Sequence, residues 1–287
     1  MSYSIRELSS DEFPLLLKEI PDPPKKLFCA GELPLAENKI LCVVGSRKFT
    51  SYGREACETL IGELSGYPIT IASGLALGID SIAHRAALKN RLQTVALPGS
   101  GLAPRSIAPS SHFHLAEEII ATGGGLLSEF EPDFRAAPWS FPQRNRIMAG
   151  MSHAVLIVEA QIKSGSLITS RLATDYNREV LAVPGPIFSP SSEGPNMLLR
   201  LGAAPATSGV DILRVLGFSI EKREERKIDY KDLSRDERTV VELLHEPLSR
   251  DDLIRGLGLP VSQANMVLSA MEIKGLITES MGEIRLK

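Results

Sequence analysis

The stretch that decides the fold is residues 39–66, KILCVVGSRKFTSYGREACETLIGELSG. KILCVV is a continuous apolar run ended by Gly45, as expected of a strand buried on both faces. After the turn, YGREACETLIGELSG puts Ala56, Leu60, Ile61 and Leu64 on one side of a helix. The unit then recurs. ITIASG (69–74) and QTVALPGSG (93–101) read as strand and turn, and IDSIAHRAALKN (79–90) as the helix between them. LLSEF (126–130), AVLIVEA (154–160) and EVLAVPG (179–185) read as further strands. Helices are expected near Arg144–Met151, Ser166–Asn177 and Asn196–Leu201. Alternating strands and helices need crossover connections, so the expected class is α/β: a mostly parallel sheet with helices on both faces. Strand after strand ends in Gly or Ser, and in an open parallel sheet those ends form one crevice.

Working outward, residues 1–36 read as a short N-terminal leader. In LSSDEFPLLLKEI (8–20), Ser10 caps a helix whose apolar side is Leu15, Leu16 and Ile20, and Pro21, Pro23 and Pro24 stop it. Residues 37–218 form the main domain, closing with DILRVLGF (211–218) as its last helix. Residues 219–232, SIEKREERKIDYKD, are charged and almost free of large apolar residues, which reads as a linker. Residues 233–287 give three helices followed by ITES and EIRLK around Met281-Gly282, the winged helix-turn-helix pattern.

Composition removes several function classes. Of 287 residues, 43% are hydrophobic and 23% charged, ordinary for a globular chain. Lys and Arg total 32 against 35 Asp and Glu, a net charge of -3, so any anion site must be local rather than a basic coat. Cys29, Cys42 and Cys57 show no paired metal spacing and no disulfide framework, which points to a reducing cytoplasm. The N-terminus lacks a signal-peptide pattern, and no stretch approaches the ~18 apolar residues of a membrane span.

Four constellations carry the candidate chemistry. Gly45-Ser46-Arg47 follows the first strand; it suits a phosphate through backbone N–H, hydroxyl and guanidinium groups, or is a tight turn with a surface arginine. SGLALGID (73–80) brings Ser73 and Gly74 to a helix start, and Asp80 and His84 share a face of that helix. They either orient an imidazole near a ligand or form a buried structural pair. FEPDFRAAPWSFPQRNRIMAG (130–150) interleaves Phe130, Phe134, Trp139 and Phe141 with Arg135, Arg144, Asn145 and Arg146. Aromatics among arginines suit stacked bases and phosphates, or plug a sheet edge. KSGSLIT (163–169) sets Lys163, Ser164, Gly165 and Ser166 before a helix, a phosphate nest or a plain serine cap. Glu159 faces the crevice or caps the next turn, and His112, His114, His153 and His245 read as structural or surface residues. No catalytic set, metal set or cofactor motif stands out.

Together these stretches resemble the DNA-processing protein A family, also called Smf. VVGSRKFTSYG (43–53), SGLALGIDSIAHRAAL (73–88), GGGLLSEF (123–130), FPQRNRIMAG (141–150), LIVEAQIKSGSLITSRLA (156–173) and REVLAVPGPIFSPSSEGPNMLLRLGA (178–203) run in family order. The resemblance implies an extended Rossmann-like domain that binds single-stranded DNA and loads the RecA recombinase during natural transformation or recombination. It makes phosphate contacts of Gly45, Ser46, Arg47, Ser73, Gly74, Arg144, Asn145, Arg146, Lys163, Ser164, Gly165 and Ser166. Phe130, Trp139 and Phe141 become base platforms. It also implies a non-enzymatic protein without cofactor or metal, and a homodimer through the distal part of the domain. Here that part is roughly 203–218, with Ile212, Leu216 and Phe218 as interface candidates, because DILRVLGF has more apolar positions than one helix face buries. The alternative is that Leu216 and Phe218 cover the sheet edge or meet the winged helix.

The sequence departs from the family pattern in places. The usual N-terminal helical domain of sterile-alpha-motif type is absent or reduced to the leader, Leu77 replaces an arginine, Ser100 a cysteine, and Ala108-Pro109 a Tyr-Pro. A competing class is a nucleotide-cleaving enzyme using Asp80, His84 and Glu159. A third makes the winged helix a reader of duplex DNA; against it, residues 233–287 hold seven Lys/Arg and nine Asp/Glu, with only Lys274 basic in the third helix.

Overall fold

The computed structural model describes residues 3–219, 233–280 and 282–286, in two compact units divided after Ile220. In the first unit the central strands are β3 (Lys39–Val44), β4 (Ile69–Ser73), β5 (Gln93–Ala96), β6 (Gly125–Ser128), β7 (Ala154–Ile157) and β8 (Glu179–Ala182). Two N-terminal strands, β1 (Ile5–Glu7) and β2 (Phe28–Gly31), and a final short strand, β9 (Ala204–Pro205), complete one nine-stranded sheet. Its order is β1-β2-β6-β5-β4-β3-β7-β8-β9. All pairs from β6 to β9 are parallel; β1 and β2 are antiparallel additions at one edge. The chain winds outward from β3 in one direction to β6, then returns to start again beside β3 at β7. That reversal between β3 and β7 is the topological switch point, where the connections leave in opposite directions and a crevice opens.

Burial on both faces explains the apolar run in β3. Leu41 and Val43 join the core under α2 (Ser51–Gly62), α3 (Ile79–Lys89) and α8 (Gly209–Val215). Ile40, Cys42 and Val44 point the other way, into the core under α5 (Ser140–Met151), α6 (Ser166–Asp175) and the short α1 (Leu15–Lys18). A third cluster lies under α4 (Phe113–Ala121), with Leu115, Ala116 and Ile119 packed on Ala96 and Leu126. The remaining helix, α7 (Glu193–Arg200), follows β8.

The described part of the expected leader, residues 3–36, is joined to the main sheet, and the expected boundary at residue 37 is corrected. β2 pairs antiparallel with β6, from Phe28 opposite Ser128 to Gly31 opposite Gly125, so the segment covers what would be an open edge of the parallel sheet. The cap is also shifted. Ser9, not Ser10, forms a capping box with Glu12, and its 3-10 turn ends before Pro14. The helix restarted after the proline buries Leu17 and leaves Leu15 exposed.

The second unit holds α9 (Arg235–Leu243), β10 (Leu248–Ser249), α10 (Arg250–Leu257), α11 (Val261–Ile273), β11 (Ile277–Ser280) and β12 (Glu283–Leu286). Its antiparallel sheet runs β10-β12-β11, and Val240, Leu244, Leu253, Leu268, Met271, Ile277 and Ile284 make its core. Three helices and a wing are what the sequence predicts. The charged linker, apart from Ser219, lies outside the described residues. No described helix is long and apolar enough to cross a membrane.

Candidate nucleic-acid interface

The turn after β3 packs on the turn before α3. The Ile79 N–H donates to the Ser46 carbonyl at 3.1 Å. Gly78 has φ +89°, and a methyl there would meet the Ser46 carbonyl, so only glycine lets the two turns close. Ser46 Oγ donates to the Lys48 carbonyl at 2.7 Å and accepts from the Lys48 N–H at 3.0 Å. The turn is thereby fixed, yet among the described residues the N–H groups of Ser46 and Arg47 find no protein acceptor. Arg47 is exposed and has no ion-pair partner among the described residues. Its guanidinium carbon sits 5.4 Å from the ring centroid of half-buried Phe141. That ring lies against Gly99, where a methyl would come 2.5 Å from Phe141 Cδ1. Phe141 therefore bridges the loops after β3 and β5.

The loop after β7 supplies the other wall. Ser164 Oγ and Ser166 Oγ are 2.7 Å apart, and the Ser166 N–H donates to Ser164 Oγ at 3.3 Å. A side chain at Gly165 would enter open space, and its N–H has no protein acceptor among the described residues. Lys163 is exposed and unpaired among the described residues. Asn145 Nδ2 donates to the Gly165 carbonyl at 3.4 Å, so Asn145 positions this loop from beneath.

The arginines of α5 differ from that picture. Arg144 is buried and donates to the Gly74 carbonyl at 2.7 Å and to Asn145 Oδ1 at 3.2 Å. A methyl on Gly74 would fall 2.5 Å from both Arg144 Nη1 and Asp80 Oδ2, so this glycine is where the charged pair closes over the chain. Burial pushes the Arg144 guanidinium down to about 10, opposed by the Asp80 carboxylate; it stays charged at neutral pH. Burial likewise raises Asp80, with Arg144 as the main opposing influence. Arg146 Nη2 lies 2.5 Å from Glu129 Oε2, and its Nε 3.4 Å from Asp22 Oδ2. The expectation that Arg144 and Arg146 offer their charge at the surface is therefore corrected: one is spent on the Gly74 turn, the other on two carboxylates.

Further expectations change for similar reasons. Ser73 is fully buried and its hydroxyl donates to the Val43 carbonyl at 2.6 Å, within the sheet. Phe130 is buried and stacks on Phe134 at 4.5 Å, with Trp139 edge-on at 5.8 Å; of this cluster Trp139 is the exposed member, at 56%. Ile212 and Leu216 lie in the core against α2 and the β9 edge of the sheet, and Phe218 meets Tyr67 edge-on at 5.5 Å. Much of the apolar surplus of DILRVLGF is thus absorbed by its own domain, with Val215 and Phe218 left half-buried.

Asp80 and His84 do not pair. Asp80 accepts from the Ala76 N–H at 3.4 Å, while His84 Nδ1 is 2.7 Å from Thr94 Oγ1. Thr94 gives its own proton to the Ile71 carbonyl, so the histidine must donate. Burial pushes His84 down to about 3, which keeps it neutral. Glu159 accepts from the Thr50 N–H at 2.9 Å, from Thr50 Oγ1 at 2.6 Å and from Ser191 Oγ at 3.1 Å. It sits at the N-terminus of α2, where the helix dipole favours a carboxylate. In the winged helix, Lys274 Nζ is 2.6 Å from Glu237 Oε1.

A feature that sequence reasoning missed is the turn after β8. The Ser189 N–H donates to the Pro186 carbonyl at 3.0 Å, and Ile187 and Phe188 occupy the two central positions, both strongly exposed. An apolar pair inside a Gly/Pro/Ser-rich stretch was its one signal.

A doubly wound parallel sheet, with exposed Arg47 and Lys163 and open N–H groups in the loops at its switch point, defines a Rossmann-like α/β domain, and the chain also contains a winged helix. The chain belongs to the DNA recombination-mediator protein A family, whose model matches residues 4–217, and the DprA winged helix model matches 225–283. It is 44% identical over 215 residues to Protein Smf of Escherichia coli, covering 74% of this chain and 56% of that protein. To DNA processing protein DprA of Bacillus subtilis it is 38% identical over 224 residues, covering 78% and 72%. The chain thus matches little more than half of the first relative's length. Among solved structures, DNA processing protein A from Streptococcus pneumoniae aligns with a TM-score of 0.69 at 37% identity, covering 76% of this chain and 75% of that one. The protein of the same name from Helicobacter pylori, described for its unique single-stranded DNA binding mode, aligns with a TM-score of 0.67 at 33% identity, covering 75% and 96%.

Proposed function

We propose that this protein binds single-stranded DNA in the crevice at the β3/β7 switch point. The observation that carries the reading is the placement of Arg47, stacked on Phe141, and Lys163 on the two loops that flank the switch point, both exposed and neither in a salt bridge among the described residues. The open N–H groups of Ser46, Arg47 and Gly165 suit phosphate oxygens. Gly45, Gly74 and Asn145 set the turns, Ser164 and Ser166 line the second one, and Phe141 and Trp139 offer rings to bases. Phosphate contacts carry no base information, so sequence preference is weak. The likeness to the Helicobacter pylori protein supports the same ligand class.

The reading extends to the family's role. The chain protects incoming strands in the cytoplasm, passes them to the RecA recombinase during transformation or recombination, and acts as a homodimer through a surface other than Ile212, Leu216 and Phe218. The nucleotide-cleaving alternative is not favoured: Asp80, His84 and Glu159 are each buried and engaged in holding turns or helices. The test is a titration of single- against double-stranded oligonucleotides at several salt concentrations, alongside an assay for free base released from nucleotides. Preferential, salt-dependent binding of single strands without base release is expected. Equal binding of both forms, or turnover of nucleotides, contradicts the proposal.

A further inference from the structure

We infer that the turn Pro186–Ser189 is a nucleobase-stacking element, with Phe188 as its platform, at the β8 side of the crevice; this rests on the single-stranded DNA reading above. Phe188 is 93% exposed at the apex of a β-turn, where an aromatic ring gains nothing from the fold. The turn is nevertheless held firmly. Asn196 bonds Gly185 in both directions, at 3.3 and 3.0 Å, and Tyr52 Oη donates to the Pro184 carbonyl at 2.5 Å. On its other leg Ser189 and Ser191 hydroxyls are 2.9 Å apart, and Ser191 reaches Glu159 at 3.1 Å.

Those same bonds tie the turn to the crevice. Glu159 also holds Thr50, so the loops after β3, β7 and β8 converge on one carboxylate. The Ala160 N–H donates to the Ser191 carbonyl and the Gly194 N–H to the Ala160 carbonyl, both at 2.8 Å, joining the β7 loop that carries Lys163 to the β8 loop that carries Phe188. Because β3, β7 and β8 are consecutive in the sheet, Arg47, Lys163 and Phe188 sit on three successive loops along one edge. Cations followed by a rigid exposed ring are the parts of a single-strand track, and a preorganised ring loses little entropy when a base stacks on it. The flanking residues are Pro186, Ser189, Pro190 and Ser191, so the apolar surface is two side chains wide, far smaller than a protein interface needs.

The test compares oligo-thymidine with an abasic oligonucleotide of equal length. Phe188→Ala is expected to weaken oligo-thymidine binding roughly five- to tenfold, the lower range for loss of one stacked base, and to leave abasic binding and the salt slope unchanged. Phe188→Tyr is expected to restore affinity, and the denaturation midpoint of each variant should match the wild type because the side chain is outside the core. Wild-type binding of oligo-thymidine that survives Phe188→Ala, or an equal loss on abasic DNA, overturns this inference while the crevice reading stands. Reduced self-association with unchanged DNA affinity assigns the turn to a second copy of the chain and also overturns it. A wild type that fails to bind oligo-thymidine removes both.

Discussion

Arg47 and Lys163, in turns that follow strands, and Arg144 and Arg146, on helix α5, are the same kind of residue with opposite fates. The first two are exposed at the switch point and form no salt bridge among the described residues. The other two are consumed inside the fold, by the Gly74 carbonyl and Asp80 in one case and by Glu129 and Asp22 in the other. The difference is geometric. A turn beyond the end of a buried strand points its side chain past the sheet, whereas α5 is packed among other segments, so Arg144 on one side meets the Gly74 turn and Arg146 on another meets Glu129 and Asp22. The basic residues two positions from a glycine in loops after strands are exposed here, whereas the arginines of α5 are engaged within the fold.

The largest expected effect breaks the buried half of that comparison. Arg144→Ala leaves Asp80 uncompensated and should cost about 3–5 kcal/mol, read as a lower denaturation midpoint. Asp80 has a raised folded pKa, so its ionisation weighs against the fold as pH rises through the carboxylate range and is relieved on acidification. The deficit of Arg144→Ala should consequently shrink at acid pH, and a deficit independent of pH would disconnect Arg144 from Asp80.

Leu216→Glu comes next. It places a charge in the core between α8 and the sheet, so a loss of about 3 kcal/mol or more is expected. A stable, folded variant with an altered oligomeric state would instead return this helix to the surface.

His84→Gln has a smaller effect that depends on pH. His84 drops from its ordinary 6.5 to about 3 on folding, so the unfolded chain takes up a proton first as pH falls below 6.5. Wild-type stability should decline in that window by up to about 1.4 kcal/mol per pH unit for this group, and the variant should lack that component. Denaturant midpoints from pH 7 to pH 4 measure both; parallel slopes would show that His84 is already charged in the fold.

Much of the fold was legible because β3 to β8 each carry short apolar runs, most of them closed by glycine or serine, and alternation with helices implies a mostly parallel sheet. β1 and β2 were not, since Phe28-Cys29-Ala30 lies among prolines and its partner, Leu126–Ser128, is about a hundred residues away. No local pattern announces an antiparallel pairing of that separation. At the site, the two turns were legible for the same reason as the strands. The fates of Ser73, Phe130, Arg144 and Arg146 depended on which carbonyl, ring or carboxylate the fold brings near, and spacing along the chain is silent on that. The burial of Ile212 and Leu216 was illegible for a related reason: a short helix packed against α2 and the β9 edge of the sheet buries more than one stripe.

The most direct test of the central claim is the salt dependence of single-stranded DNA affinity in the double variant Arg47→Ala/Lys163→Ala, set beside Arg146→Ala. Each phosphate contact on a single strand contributes about 0.7 to the slope of log affinity against log salt. The double variant should lose roughly 1.4 from the slope and bind all sequences more weakly, with its folding stability within about 0.5 kcal/mol of the wild type. Arg146→Ala should leave the slope unchanged. A slope that falls in Arg146→Ala and holds in the double variant would contradict the account.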